Sequence, residues 1–122
     1  MRFLLILSLL FLPLAQAQSN KVRLLVQSSP LAGSQYYAVG QFWQELKVGD
    51  TLALIREPDN RHDSKAIRVE WRGHRLGYVP RRENGAVAAA MDAGEPLSAR
   101  ISRLTEHVDP WRRVEIEIFL PL

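Results

Sequence analysis

The sequence predicts a mainly β domain, with one or two short helices and six strands bent into a small barrel or a strongly curved sheet. Two observations lead to this fold class. Apolar residues recur at every second position in six short segments, which is the period of a half-buried strand. The helical segments between them are too few and too short to cover both faces of an open α/β sheet.

All six predicted strands lie after residue 21. They span residues 22–27, 51–56, 66–71, 75–80, 97–104 and 114–120. Only Arg72, Gly73 and His74 separate the third strand from the fourth. Because this connection is so short, we expect the two strands to form a hairpin.

The last strand has the clearest alternation. Its even-numbered positions from Val114 to Leu120 are aliphatic, and its odd-numbered positions are Glu115, Glu117 and Phe119. This pattern predicts one buried face and one face in water, with Leu120 on the buried side and Phe119 on the wet side.

Two helical segments interrupt the strands. Residues 41–46 place Phe42 and Trp43 on one side of a short helix. Residues 82–93 carry apolar side chains at helical spacing, and Gly94 supplies the expected stop. The sequence contains no internal repeat, so we expect a single domain.

The N-terminus has the pattern of an export signal. A short positive region precedes an apolar run at residues 3–14, and the small residues Ala15 and Ala17 fit a cleavage site. The run is shorter than the roughly 20 residues that a membrane span needs. We therefore expect a signal peptide at residues 1–17, a single domain at residues 18–122 and a secreted or periplasmic protein. An uncleaved N-terminal anchor is the alternative.

Composition narrows the chemistry. The chain has no cysteine, which excludes disulfides and cysteine-based metal or nucleophile chemistry. Residues 18–122 hold 15 of the chain's 16 basic residues, all but Arg2, against 13 acidic ones, an excess too small to indicate a nucleic-acid binder by itself. His62, His74 and His107 have no regular spacing, and no phosphate-cradling glycine loop or zinc pattern occurs. We expect no catalytic site, no metal and no cofactor.

The first candidate binding element is the pair Tyr36 and Tyr37, which follows the turn-forming Gly33. Adjacent side chains on an extended segment point to opposite faces. We therefore expect one ring in the core and the other on the surface, where it can stack on a nucleobase. For the pair taken alone, two rings that only pack are the alternative.

The second element is the polar loop at residues 57–63. Its Asp and Asn side chains can fold the loop onto its own backbone, and we assign this structural role to Asp59. Asn60, His62 and Asp63 remain as candidate binding groups: an amide, a flat ring and an acceptor. A carboxylate suits a sugar hydroxyl or an exocyclic amine better than it suits a phosphate.

The third element is the segment at residues 77–82, where a predicted strand ends and a predicted helix begins. Unpaired backbone N–H groups and the helix dipole favour an anion at such a junction. Arg81 and Arg82 add positive charge there. The segment therefore predicts a phosphate site, with solvated surface arginines as the alternative.

Together these elements resemble the HIRAN domain. The resemblance rests on four motifs in order: paired aromatics, an acidic-Pro-x-Asn-x-x-Asp loop, an Ala-Ile-x-Val strand and a Gly-Tyr-Val-Pro-basic turn. In this chain they are Tyr36-Tyr37, Glu57-Pro58-Asp59-Asn60 with Asp63, Ala66-Ile67-Arg68-Val69 and Gly77-Tyr78-Val79-Pro80-Arg81. The resemblance covers nearly all of residues 18–122.

The resemblance implies a modified oligonucleotide-binding barrel with added helices and a nucleic-acid-binding function. Members found in helicase-like DNA-repair proteins bind the 3′-hydroxyl end of single-stranded DNA. By this similarity, Tyr36 would be the stacking platform and Asp63 the acceptor for the terminal hydroxyl. Asn60 would shape the pocket, and Arg81 would contact a phosphate.

Three positions depart from the end-binding relatives. Gln35 stands where they have a basic residue, His62 stands where they have a larger stacking aromatic, and Tyr78 replaces a histidine. Tyr78 can still form a hydrogen bond, and together with Tyr37 it completes the predicted site. Single-stranded DNA is the predicted partner. The alternative is an exported, non-catalytic adaptor that binds a protein segment or an envelope polymer through the same groove.

Overall fold

A computed structural model describes residues 22–122. These residues form six strands, two short α-helices and three single 3₁₀ turns. The strands are β1 (Arg23–Pro30), β2 (Thr51–Glu57), β3 (Ala66–Trp71), β4 (His74–Tyr78), β5 (Ser98–Leu104) and β6 (Val114–Pro121), and the helices are α1 (Val39–Phe42) and α2 (Gly85–Asp92). Neither helix has the length and hydropathy of a membrane span. The predicted signal peptide at residues 1–17 lies outside the described residues.

The strands form one antiparallel sheet in the order β1-β6-β5-β2-β3-β4. This order puts β1 and β4 at opposite edges. The chain just beyond β1 nevertheless meets the end of β4, because Ala32 and Tyr78 exchange two backbone hydrogen bonds of 2.8 and 2.9 Å. The sheet is therefore open, but it curves so strongly that its two edges come into contact at this bridge. The predicted mainly β fold with six strands and short helices is confirmed.

Gly77 permits this contact between the edges. A Cβ atom at Gly77 would lie 2.4 Å from the carbonyl oxygen of Ala32 and 2.9 Å from Cγ of Leu31. Both distances are shorter than van der Waals contact allows. Any side chain at residue 77 would thus push the segment after β1 away from β4.

The core lies inside the curve of the sheet. Ile67 and Val69 of β3 are fully buried, as are Ile116 and Ile118 of β6, and these positions are the ones that the two-residue period placed on the buried faces. Each such side chain stabilises the fold by about 1.5–3 kcal/mol relative to an exposed position.

Phe119 corrects the prediction for the last strand. It was placed on the wet face, yet only 7% of it is exposed. The guanidinium groups of Arg23 and Arg100 lie 4.5 and 4.8 Å from the centre of its ring and cover it. Cation–π attraction stabilises this arrangement, so the outer face of β6 is dry at this position. Leu120, predicted to be buried, is only partly so.

Both predicted helices have different bounds in the structure. The segment predicted at 41–46 is helical at Val39–Phe42, after which the chain continues in turns. The segment predicted at 82–93 divides at Asn84 into a 3₁₀ turn (Arg81–Glu83) and α2. Gly94, with φ +87°, ends the helix as predicted.

Candidate nucleic-acid interface

A groove of about 250 Å³ lies beside the point where the two edges of the sheet meet. We call it the tyrosine groove. Its apolar lining comes from Ala32, Ala66 and Val79, and its polar and aromatic lining consists of Tyr37, Asn60, His62, Asp63, Tyr78 and Arg81. Six of the seven predicted site residues are therefore brought together, and Tyr36 is the one that does not line the groove.

The two tyrosines are arranged differently from the prediction. Gly33, with φ +73°, starts a 3₁₀ turn at Ser34–Tyr36, so the pair does not lie on an extended segment. Tyr36 is 77% exposed and Tyr37 is 38% exposed. The prediction that one ring enters the core is wrong, because a turn does not alternate its side chains between two faces as a strand does.

Tyr37 forms one wall of the groove. Its ring centre lies 6.0 Å from that of Tyr78, at an interplanar angle of 56°. The guanidinium group of Arg75 lies 4.9 Å from the centre of the Tyr37 ring. Tyr37 therefore packs against two side chains of β4, whereas the ring of Tyr36 next to it is open to solvent.

Asn60 holds the polar loop in shape. Its side-chain oxygen accepts hydrogen bonds from the backbone N–H groups of His62 and Asp63 at 2.9 and 3.2 Å, and its Nδ2 donates to Glu57 at 2.9 Å. Asp59 is exposed and makes no side-chain hydrogen bond within residues 22–122. The structural role predicted for Asp59 thus belongs to Asn60. The exposed ring of His62 forms part of the groove lining.

Asp63 is held in place by two donors. Its Oδ1 accepts from the backbone N–H of Lys65 at 2.9 Å, and its Oδ2 accepts from Nδ2 of the buried Asn84 at 2.8 Å. A carboxylate oxygen has room for two donors. The oriented carboxylate can therefore accept a further hydrogen bond from a molecule in the groove.

Glu57 does not line the groove, but it holds two residues that do, Asn60 and Tyr78. No separate role was predicted for it. Both of its carboxylate oxygens accept from the Tyr78 hydroxyl, at 2.9 and 3.0 Å, and Arg68 donates to it at 2.8 Å. Burial acts to raise the pKa of Glu57, but the hydrogen bonds from Asn60, Tyr78 and Arg68 outweigh it and hold the pKa below its usual range. The signal that pointed to Glu57 was its acidic position in the loop motif.

The Tyr78 hydroxyl is therefore committed to the protein. Burial, followed by the hydrogen bond to the Glu57 carboxylate, raises the pKa of Tyr78 above its ordinary value. The phenol stays protonated and donates its proton in the hydrogen bond to Glu57. Its oxygen can therefore only accept a hydrogen bond from a bound molecule.

Arg81 and Arg82 lie on the 3₁₀ turn that precedes α2. Both are exposed, and neither makes an ion pair with any residue in the range 22–122. Arg81 lines the tyrosine groove. The helix itself begins at Gly85, later than predicted, so the charge at this junction comes from the turn.

The part of the chain from residue 22 onward contains no cluster of three His, Asp or Glu side chains that could hold a metal ion.

Nearly all of the described residues match one protein family. The family model for the HIRAN domain matches residues 24–122. The chain belongs to the HIRAN domain family. HIRAN domains are DNA-binding modules, and membership of the family supports a nucleic-acid-binding role for this chain. None of the curated proteins matches it.

Two solved structures share the HIRAN fold of this chain. The crystal structure of a protein from Lactobacillus plantarum has a TM-score of 0.71 and 26% sequence identity, and the alignment covers 84% of this chain and 98% of that one. The crystal structure of the HIRAN domain of human HLTF has a TM-score of 0.58 and 21% identity, over 81% of this chain and 77% of that one. At 21% identity, the HLTF domain shows only that the fold is shared, and no binding residue is transferred from it to this chain.

Trp111 was not among the predicted site residues, although it lies on the surface close to the tyrosine groove. Trp111 is 51% exposed. It lines a cleft with Pro80, Arg81, Arg82 and Glu83. The signal was local: Pro110 precedes this tryptophan and two arginines follow it, which is unusual for a core position.

Proposed function

We propose that this HIRAN domain binds single-stranded DNA and holds its 3′-hydroxyl end in the tyrosine groove. One observation carries the proposal: aromatic rings, an oriented carboxylate and a guanidinium without an ion-pair partner within residues 22–122 surround a single apolar floor. A nucleotide at a strand end has the three matching parts, a base, a hydroxyl and a phosphate.

The base is accommodated by stacking. The solvent-exposed ring of Tyr36, the chain neighbour of Tyr37, offers a free face, and Tyr37 and His62 line the groove itself. Stacking of a base on an aromatic side chain contributes about 1–3 kcal/mol. Because every base has a flat face, this part of the interaction tolerates any sequence.

The terminal hydroxyl is recognised by Asp63. Lys65 and Asn84 orient its carboxylate, which accepts a hydrogen bond from a 3′-hydroxyl. A continuing strand or a 3′-phosphate would put negative charge against the same carboxylate. Asp63 therefore favours a free end, while Arg81 binds a phosphate of the same strand.

A titration of the purified protein with labelled single-stranded oligonucleotides tests the proposal. We expect an oligonucleotide with a free 3′-hydroxyl to bind about tenfold or more tightly than the same oligonucleotide with a 3′-phosphate, with affinity that falls as salt rises. The variant Asp63→Asn should reduce the preference for the free end. Equal affinities would refute end recognition, and no binding at low salt would refute nucleic-acid binding.

The alternative adaptor function has one supporting observation. The apolar floor of Ala32, Ala66 and Val79 would also accept an aliphatic side chain of a protein segment or part of an envelope polymer. Such binding would not weaken with salt unless the ligand is anionic. The same titration therefore separates the two functions.

We also propose that the protein is exported. The support is the apolar run at residues 3–14 with the small residues Ala15 and Ala17 after it. The mass of the protein recovered from cells tests the cleavage: a chain that begins at Gln18 supports a cleaved signal peptide, and an intact Met1 would contradict cleavage and support the uncleaved anchor.

A further inference from the structure

Trp111 also lines a second groove. It has a volume of about 330 Å³ and is lined by Pro30, Arg103, Thr105, His107, Trp111, Arg112 and Glu115. We call it the Arg103 groove. Three of its side chains, Arg103, Thr105 and Arg112, carry hydrogen-bond donors of the kind that bind phosphate oxygens.

The two grooves are joined by an intervening cleft of about 550 Å³. Arg81 lines both the tyrosine groove and the cleft, and Trp111 lines both the cleft and the Arg103 groove. The turns that carry Tyr36 and Trp111 are also neighbours, since the Ser34 hydroxyl lies 3.5 Å from the carbonyl oxygen of Pro110. Shared lining residues therefore link the tyrosine groove to the cleft and the cleft to the Arg103 groove.

The arginines of the Arg103 groove can release their present partners. Arg103 pairs with Glu115 at 3.4 Å, and Arg112 pairs with Asp109 at 3.8 Å. All four side chains are exposed, and ion pairs of this kind contribute little to stability. A phosphate can therefore replace either carboxylate at little cost to the fold.

His107 supplies a further donor to the same groove. Its Nδ1 accepts the backbone N–H of Asp109 at 2.9 Å. In the neutral ring the proton therefore sits on Nε2. That N–H can donate to a phosphate oxygen, so the groove does not depend on the arginines alone.

We propose that the Arg103 groove binds the phosphates of upstream nucleotides in the strand whose 3′ end occupies the tyrosine groove. This inference rests on the proposed function and specifies its ligand: a single-stranded overhang of several nucleotides, not a mononucleotide or dinucleotide. The path of this strand passes Arg81 and Arg82 and then Trp111 before it reaches Arg103 and Arg112. Oligonucleotide-binding barrels have site sizes of about 4–16 nucleotides, which fits a path of this kind.

The test compares a dinucleotide with an oligothymidylate of about ten residues, both with a free 3′-hydroxyl. We expect the wild-type protein to bind the longer strand at least about tenfold more tightly. In the double variant Arg103→Gln, Arg112→Gln, we expect a loss of about tenfold or more for the longer strand and no change for the dinucleotide. The slope of log affinity against log salt should fall by about 1.4, because each lost phosphate contact contributes about 0.7.

A matched control removes two positive charges elsewhere. The variant Lys47→Gln, Arg72→Gln changes exposed residues that line neither groove, and it should keep the affinity for the longer strand. Thermal melts of both variants check that the fold is intact. Dinucleotide binding with no gain from length, or equal losses in the two double variants, would overturn the extended path alone. No binding of either oligonucleotide would overturn the proposed function and the path together.

Discussion

Tyr36 and Tyr37 are adjacent in the sequence but have different surroundings. Tyr36 lies open to solvent, while Tyr37 packs beside Tyr78 and under the guanidinium group of Arg75. A ring without neighbours can be offered to a base without disturbing the protein. A ring that forms a wall contributes to the shape of the groove as well.

The two tyrosines should therefore respond differently to substitution. We expect Tyr36→Ala to weaken binding of single-stranded DNA by about 1–3 kcal/mol, the value of one stacked base. The free energy of unfolding of Tyr36→Ala should differ from that of the wild type by less than about 0.5 kcal/mol, as for substitutions at other exposed positions. Tyr37→Ala should lower both affinity and stability. Urea unfolding and oligonucleotide titrations measure the two effects, and an unchanged affinity of Tyr36→Ala would assign the stacking to Tyr37.

Glu57 acts through the residues that it holds. Its side chain is only 18% exposed, and its carboxylate accepts hydrogen bonds from side chains of the loop, β3 and β4. Hydrogen bonds that favour the charged form lower its pKa in the folded state, despite burial, which acts in the opposite direction. A carboxyl group of this kind stabilises the fold above its unfolded-state pKa, and that contribution is lost as pH falls through the lowered folded-state pKa.

The stabilisation by Glu57 should consequently depend on pH. At neutral pH we expect Glu57→Gln to lower the free energy of unfolding by about 1–3 kcal/mol, since it leaves donors without their acceptor. The difference from wild type should shrink on acidification below the ordinary range for glutamate. Urea unfolding at several pH values measures it, with the exposed Glu106→Gln as control. A difference that stays constant with pH would contradict this role.

At the scale of the elements, the site depends on the contact between β4 and the segment that follows β1. The bridge between Ala32 and Tyr78 brings both residues into the lining of the tyrosine groove. Gly77, next to Tyr78, allows the two backbones to approach. An edge contact made by so few hydrogen bonds is sensitive to any added atom.

Replacement of Gly77 should open this contact. We expect Gly77→Ala to lower the free energy of unfolding by about 1–3 kcal/mol, the usual cost of forcing a methyl group into a packed site. Hydrogen exchange should accelerate at the amides of Ala32 and Tyr78 more than in β5 or β6. Gly85→Ala is a suitable control, because its Cβ would meet no atom within 4 Å. Equal protection at Ala32 in both variants would show that the contact does not need glycine.

At the scale of the whole molecule, the features that could be predicted from the sequence are the local ones. The two-residue period located β3 at its observed bounds and the buried positions Ile67, Val69, Ile116 and Ile118, but it misplaced Phe119. The turn at Tyr36, the edge contact and the hydrogen bonds of Glu57 could not be derived in this way. They join residues from β2, β3, β4 and the segment after β1, and their pairing depends on how far the sheet curves. The grouping of loop residues around Asp63 was anticipated by motif order, whereas Asn84 and Trp111 come from distant segments with no shared pattern.

The proposed function depends above all on the claim that single-stranded DNA occupies the tyrosine groove. The most direct measurement is an NMR titration of the ¹⁵N-labelled protein with a short single-stranded oligonucleotide that has a free 3′-hydroxyl. We expect chemical-shift changes to concentrate at Tyr37, His62, Asp63, Tyr78 and Arg81, and to weaken when the 3′ end carries a phosphate. Changes confined to another surface, such as the exposed edge of β1, or no changes at low salt, would contradict the claim.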